Sequence, residues 1–302
     1  MALTINTNIS SLVAQRNLSN ATGSLNQAIE RMTTGYKINH AGDNAAGYSI
    51  ARTWETQLGS LDVAADNAAM GADMMSTLED HYSLISSHLQ RVRDLTEQAS
   101  NGTYGADSLK AIRSEINARL EEVDRIASNC EYNGRKMMLG EGAGAITDHI
   151  YLQVGLYSTS DSKIKLDSSL FSSAKVEGLF TEGICGDDYD GADAVATACT
   201  GYRANGTASG DTPSDMLTVI DKVIKEISNR TTTLGAAQNR IDSAIESIGV
   251  QSENITSSLS TLRDADISKE SSNYIKAQIL QQAAATLLST ANQTPSIALN
   301  LL

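Results

Sequence analysis

Proline is nearly missing from this 302-residue chain, which holds only Pro213 and Pro295 where average usage would give about 15. Proline is the strongest helix breaker, so its scarcity permits very long helices. Aromatic residues are scarce too, with 10 Tyr, 2 Phe and 1 Trp, which excludes a compact enzyme core built on large rings. Cys130, Cys185 and Cys199 are too few for a disulfide scaffold and lack metal-ligand spacing. Basic residues are outnumbered, 23 Lys and Arg against 36 Asp and Glu, giving a net charge of −13. No basic stripe is left to displace counterions from phosphates, so a nucleic-acid binder is excluded. No apolar run approaches the ~20 residues of a membrane span. The opening Met1–Asn6 lacks a basic segment followed by an apolar one, so no secretory signal is expected. What the chain does have is 37 alanines, which suit closely approaching helices. Composition alone describes an acidic, helical, cytosolic protein.

The strongest pattern lies near the C-terminus. Leu217, Ile220, Ile224, Ile227, Thr231, Leu234, Gln238, Ile241, Ile245, Ile248, Ser252, Ile255, Leu259 and Leu262 alternate three and four residues apart without a slip. Eleven of these 14 positions are apolar, which predicts a coiled-coil seam. Thr212 is placed to cap this helix, Pro213 fits its first position, and Asp215 favours its positive end. A second seam runs through Trp54, Leu58, Leu61, Ala65, Ala68, Ala72 and Met75. After one extra three-residue step, a stammer, it resumes at Leu78, Tyr82, Ile85, Leu89, Val92, Thr96 and Ala99. Gly102 and Gly105 end that helix, and Asp107 or Ser108 opens a shorter one. The shorter helix carries Leu109, Ile112, Ile116, Leu120, Val123 and Ala127 on one face.

Both termini are amphipathic. Residues 5–33 present Ile9, Leu12, Leu18, Leu25, Ile29 and Met32, and roughly 266–292 present Ile275, Leu280, Ala284, Leu287 and Ala291. Between the helical arms, Tyr151–Leu156 alternates at period two and predicts a strand paired with Lys163–Leu166. From Glu177 to Asp215 there are eight acidic residues against Arg203 alone, plus seven glycines, so 141–212 reads as a small solvated insertion. The predicted fold is mainly α: a long antiparallel coiled-coil helical rod built from both chain ends, with a small β-containing insertion. Three domains are expected: 1–40 with 266–302, 41–140 with 213–265, and 141–212. Apolar stripes that one chain cannot cover point to self-association.

Little here suggests chemistry. His81 and His88 lie seven apart on one helix face, but no carboxylate completes a chelate and no His-Glu-x-x-His signature occurs, so they read as surface histidines. Asp187-Asp188-Tyr189-Asp190-Gly191 resembles part of a calcium loop. Aligning its glycine leaves Gly186 and Thr197 where carboxylates are needed, so a solvated acidic loop is the better reading. Cys185 and Cys199 either close a 14-residue bridge worth about 3 kcal/mol or stay free, the latter slightly favoured. No nucleophile–base pair is visible, so no enzyme and no cofactor is expected.

The motifs identify a family. Ile5-Asn6-Thr7-Asn8, Ala28-Ile29-Glu30-Arg31-Met32-Thr33-Thr34-Gly35, Asp43-Asn44-Ala45-Ala46-Gly47 and Leu89-Gln90-Arg91-Val92-Arg93-Asp94-Leu95 occur in order. Tyr132-Asn133-Gly134, Leu234-Gly235-Ala236-Ala237-Gln238-Asn239-Arg240 and Ala277-Gln278-Ile279-Leu280-Gln281-Gln282-Ala283 follow. Together they resemble bacterial flagellin over about 1–140 and 213–302. Tyr132 stands where the family usually has phenylalanine, and Ala284 where many relatives have glycine. The resemblance implies a secreted structural subunit that polymerises with itself into the flagellar filament, with a hook–filament junction protein as the alternative. It also implies export unfolded, an export chaperone and a cap protein; the Ser/Thr clusters of 157–173 could accept O-linked sugars as in relatives, but a plain solvated polar loop is the default reading. Ile9, Leu12, Leu25, Ile29, Leu280, Ala284 and Leu287 would then form a terminal assembly stripe. Arg91, Leu95 and Glu115 match the positions that resemble a recognition surface for Toll-like receptor 5.

Overall fold

The computed structural model describes residues 8–140, 142, 144–181 and 213–300. The acidic loop at 187–191, Cys185, Cys199 and Thr212 lie outside them. The chain divides into two compact units, 1–59 with 251–302 and 60–250, and each is taken by itself. Helices α2 (Ala45–Ser100) and α5 (Pro213–Arg263) contribute to both. The second of these opens on Pro213, whose missing N–H costs nothing at a first helical position.

In the first unit, α1 (Ile9–Thr34) pairs antiparallel with α6 (Ile267–Asn300). The direction follows from Ser11 Oγ donating to Asn292 Oδ1 at 2.7 Å, Gln281 Nε2 to Thr22 Oγ1 at 3.2 Å, and Arg31 meeting Glu270 at 3.5 Å. The seam is alanine: Ala14, Ala21 and Ala28, seven apart, are buried, as are Ala277 and Ala284. Gly35 ends α1 in the left-handed region, φ +76°, and donates its N–H to Arg31 O, which only glycine accepts without strain. Beyond it the two linkers pair briefly, Lys37 N to Arg263 O at 2.7 Å and Ala265 N to Gly35 O at 2.8 Å. Arg263 forms an ion pair with Glu55 and stacks 4.1 Å over the Tyr36 ring. The Asp43–Gly47 motif is a helix start: Asn44 Oδ1 accepts Gly47 N, and a Cβ on Gly47 would meet Ile38 at 2.9 Å. Asp43 accepts the backbone N–H groups of His40 and Asn39, and the first of these mainly holds its carboxyl below the usual range.

In the second unit, α2 and α5 run antiparallel, tied by Arg93 to Asp221 at 2.6 Å and Gln238 to Glu79 at 2.8 Å. Helix α3 (Ala106–Asn129) packs on them through Ile112, Ile116, Leu120 and Val123. It begins one residue earlier than expected because Gly105, extended, serves as the cap and leaves Asp107 in the first turn. Met74 joins Met75 and Leu78 in the core at the stammer. Tyr132-Asn133-Gly134 belongs to a hairpin of β1 (Glu131–Tyr132) and β2 (Arg135–Lys136), with φ +49° at Asn133 and +78° at Gly134. Strands β3 (Ile150–Gln153) and β4 (Lys163–Leu166) pair antiparallel, Ile150 opposite Leu166 and Gln153 opposite Lys163.

One expectation is corrected. Residues 144–181, the described part of the β-containing insertion, are not solvated throughout. Ile146, Leu166, Leu170, Phe171, Ala174, Leu179 and Phe180 are buried in the same core as the long helices. Phe180 lies on α4 (Val176–Thr181), a short helix held by Val176 N donating to Asp124 Oδ1 at 2.8 Å. Buried Arg230 donates to the carbonyls of Ser172 and Ser173, and Tyr82 Oη to Leu170 O, so polar backbone beside the core is satisfied. Both phenylalanines of the chain sit here, covering a seam too broad for two helices.

Candidate assembly surface

The seam residues of α5 fall into two groups. Ile220, Ile227, Leu234, Ile241 and Ile248 are buried, while Leu217, Ile224, Ile245, Ile255, Leu259 and Leu262 are half-buried. Val223, Arg230 and Ala237 are buried beside them, since 144–181 covers that flank as well. Within the second unit, Ile220, Ile227, Leu234 and Ile241 are committed to the subunit's own core, with Ile224 and Ile245 packed against it.

The terminal helices differ. Among the expected stripe residues only Ala284 is buried; Leu25 is half-buried, and Ile9, Leu12, Ile29, Leu280 and Leu287 are exposed. The small alanines let the two helices approach closely, and the large side chains are left outside them. A groove of about 600 Å³ runs between α1 and α6, lined by Ala14, Ala21, Ala28, Leu280, Ala284 and Leu287 with Asn17 and Asn20. Large apolar side chains exposed together in this way make a candidate surface for contact with other chains. Of the alanine seam only Ala284 stood in the expected stripe; the seven-residue spacing of Ala14, Ala21 and Ala28 is the signal of the rest.

Arg91, Leu95 and Glu115 are brought near one another but not onto one surface. Arg91 Nε and Nη2 donate to Glu115 Oε1 at 3.2 and 3.1 Å, linking α2 to α3. Leu95 is 2% exposed and lies in the core below. His81 and His88 are half-buried rather than surface residues, the first against Thr77 O at 2.7 Å. Among the described residues no three His, Cys, Asp or Glu side chains are grouped to hold a metal ion. Cys130, at the end of α3, is buried and free, and burial pushes its thiol up to about 12. Among the described residues no helix is long and apolar enough to cross a membrane.

A family model of the bacterial flagellin N-terminal helical region matches residues 5–143, and one of the C-terminal helical region matches 217–302. Polar flagellin F of Vibrio parahaemolyticus is 30% identical, the match covering 100% of both chains. Flagellin of Bacillus subtilis is 31% identical over 99% of each. Among solved structures, a putative flagellar hook-associated protein from Vibrio parahaemolyticus covers 74% of this chain and 100% of its own, with a TM-score of 0.58. At 11% identity that likeness concerns the fold alone.

Proposed function

The chain belongs to the bacterial flagellin family, whose members self-polymerise into the extracellular filament of the flagellum, and we propose that its exposed terminal stripe drives that polymerisation. It is a structural, non-enzymatic filament subunit, and nothing favours the hook–filament junction reading. The observation that carries the proposal is the placement of Ile9, Leu12, Ile29, Leu280 and Leu287 outside an alanine seam that already satisfies α1 and α6. Burying such side chains between subunits stabilises a polymer by about 1.5–3 kcal/mol each.

The same stripe supports a set of partners. A subunit with bare apolar ends needs them covered before assembly, which is work for an export chaperone, and needs them delivered in order, which is work for a cap protein. A host Toll-like receptor 5 would read Arg91 and Glu115 from solvent, with Leu95 shaping that face from beneath. The terminal pair 1–40 with 266–302 would act as the inner domain.

Helices near the length of α1 are marginal without a partner. Removing residues 1–40 and 266–302 is expected to leave a soluble monomer that melts cooperatively and forms no filaments under the electron microscope. Filaments from the trimmed chain would refute the proposal.

A further inference from the structure

Helix α2 carries a second periodic face that its own seam does not use. Val63, Met70 and Leu84 are 59%, 52% and 52% exposed, and with Thr77 between them they recur every seven residues. The inward seam is already filled by Leu61, Ala68, Met75, Leu78, Tyr82 and Ile85 of the same helix. Three residues after each of the first three strip positions stands a carboxylate: Asp66, Asp73 and Asp80, all exposed. A three-residue offset sets them about 60° round the helix, so an apolar strip is edged by an acidic ridge. No Lys or Arg occurs between Arg52 and Arg91 to balance it, and among the described residues none of the three aspartates has an ion-pair partner.

The complement sits elsewhere in the same unit. Lys222 and Lys225 are exposed, three apart on one face of α5, and in no ion pair among the described residues. Because α2 and α5 run antiparallel and Asp221 lies at Arg93, the lysines are displaced from Asp73 by about 30 Å along α2. The two patches cannot meet within one copy. They can meet between copies shifted along the helix axis, and a head-to-tail contact of that kind repeats without closing. We infer that the Val63–Met70–Leu84 strip with its Asp66–Asp73–Asp80 ridge docks the Lys222–Lys225 face of a second copy of this chain. The inference rests on the filament reading and names one of its interfaces. Opposite charges set the register of the shift, and the strip supplies dehydrated contact.

The test is seeded elongation of the full chain, read by light scattering and electron microscopy. Asp66→Lys/Asp73→Lys/Asp80→Lys makes the chain less negative, so relief of general repulsion alone would speed growth. Docking demands the opposite, a slowing of about tenfold or more with helicity and melting unchanged. Lys222→Glu/Lys225→Glu adds negative charge, so its slowing is read only through the combined chain; if the aspartate variant melts early, Asp66→Asn/Asp73→Asn/Asp80→Asn, which also lowers repulsion, is read in its place with the same slowing expected. Combining both sets in one chain is expected to restore elongation, and Val63→Ser/Leu84→Ser to slow it. Charge-reversed variants that elongate at or above the parental rate overturn the inference, as does a combined variant no faster than either alone. A parent chain that forms no filaments removes the filament reading and the inference with it.

Discussion

Asn8 faces two ways. Its Oδ1 accepts the N–H of Ser11 and caps α1, while its Nδ2 donates to Ala291 O at 2.7 Å. In an uninterrupted helix that carbonyl would accept the N–H of residue 295, but Pro295 has none. A side chain from the other terminus thus reaches the carbonyl to which Pro295 can bring no N–H, and α6 runs on to Asn300 instead of ending near 292 as expected. Asn8→Asp keeps the cap and loses the donor, so it should lower filament melting in the parent and much less in Pro295→Ala. The coupling in that double-mutant cycle is expected at about 0.5–1.5 kcal/mol, and additive effects would show that the two residues act separately. Cys130 gives a pH-dependent counterpart. Burial raises its thiol from 9.0 to about 12, so the folded chain keeps a proton that the unfolded chain releases. This contribution to stability is complete below about pH 9 and is lost as pH rises toward 12. The melting temperature of the parent should therefore fall more steeply above pH 9 than that of Cys130→Ala. Parallel slopes would place the thiol in contact with water.

Phe171 and Phe180 show what an element reading can miss. The seam of α5 was legible residue by residue because a seven-residue repeat sums weak signals along a helix, and the stammer in α2 was legible for the same reason. The pairing of β3 with β4 was legible from alternation over a few residues. Residues 168–181 carry no period at all, and their acidic, glycine-rich continuation made the whole segment read as solvated. Its fate is decided by tertiary burial: the flank of α2, α3 and α5 holding Val123, Val223 and Ile227 needs a cover, and the two phenylalanines supply it. The terminal pair was half legible, since its large residues and Ala284 were seen but Ala14, Ala21, Ala28 and Ala277, which join the helices with it, were not. If the cover is part of the core, Phe180→Ala should destabilise the whole second unit by about 3–5 kcal/mol. A thermal melt by circular dichroism at the helical signal checks this. A parent-like melt would return the segment to the surface.

At the scale of the molecule, charge and apolar surface oppose each other. Every subunit carries −13, so each addition to a growing polymer brings like charges together. Exposed apolar residues on the terminal helices act only once surfaces touch, whereas charge repulsion reaches as far as the screening length allows. That length is about 30 Å at 0.01 M salt and about 8 Å at physiological strength. Raising sodium chloride over this range therefore removes the long-range repulsion and spares contacts made at a few ångströms. Seeded elongation is expected to quicken as salt rises from about 10 to 150 mM. The acceleration should weaken in a variant with several exposed acids outside the assembly faces neutralised, such as Glu121→Gln/Asp161→Asn/Asp242→Asn, because there is then less repulsion to screen. Elongation that falls steadily with added salt would mean that attraction between unlike patches, rather than release of net repulsion, limits growth.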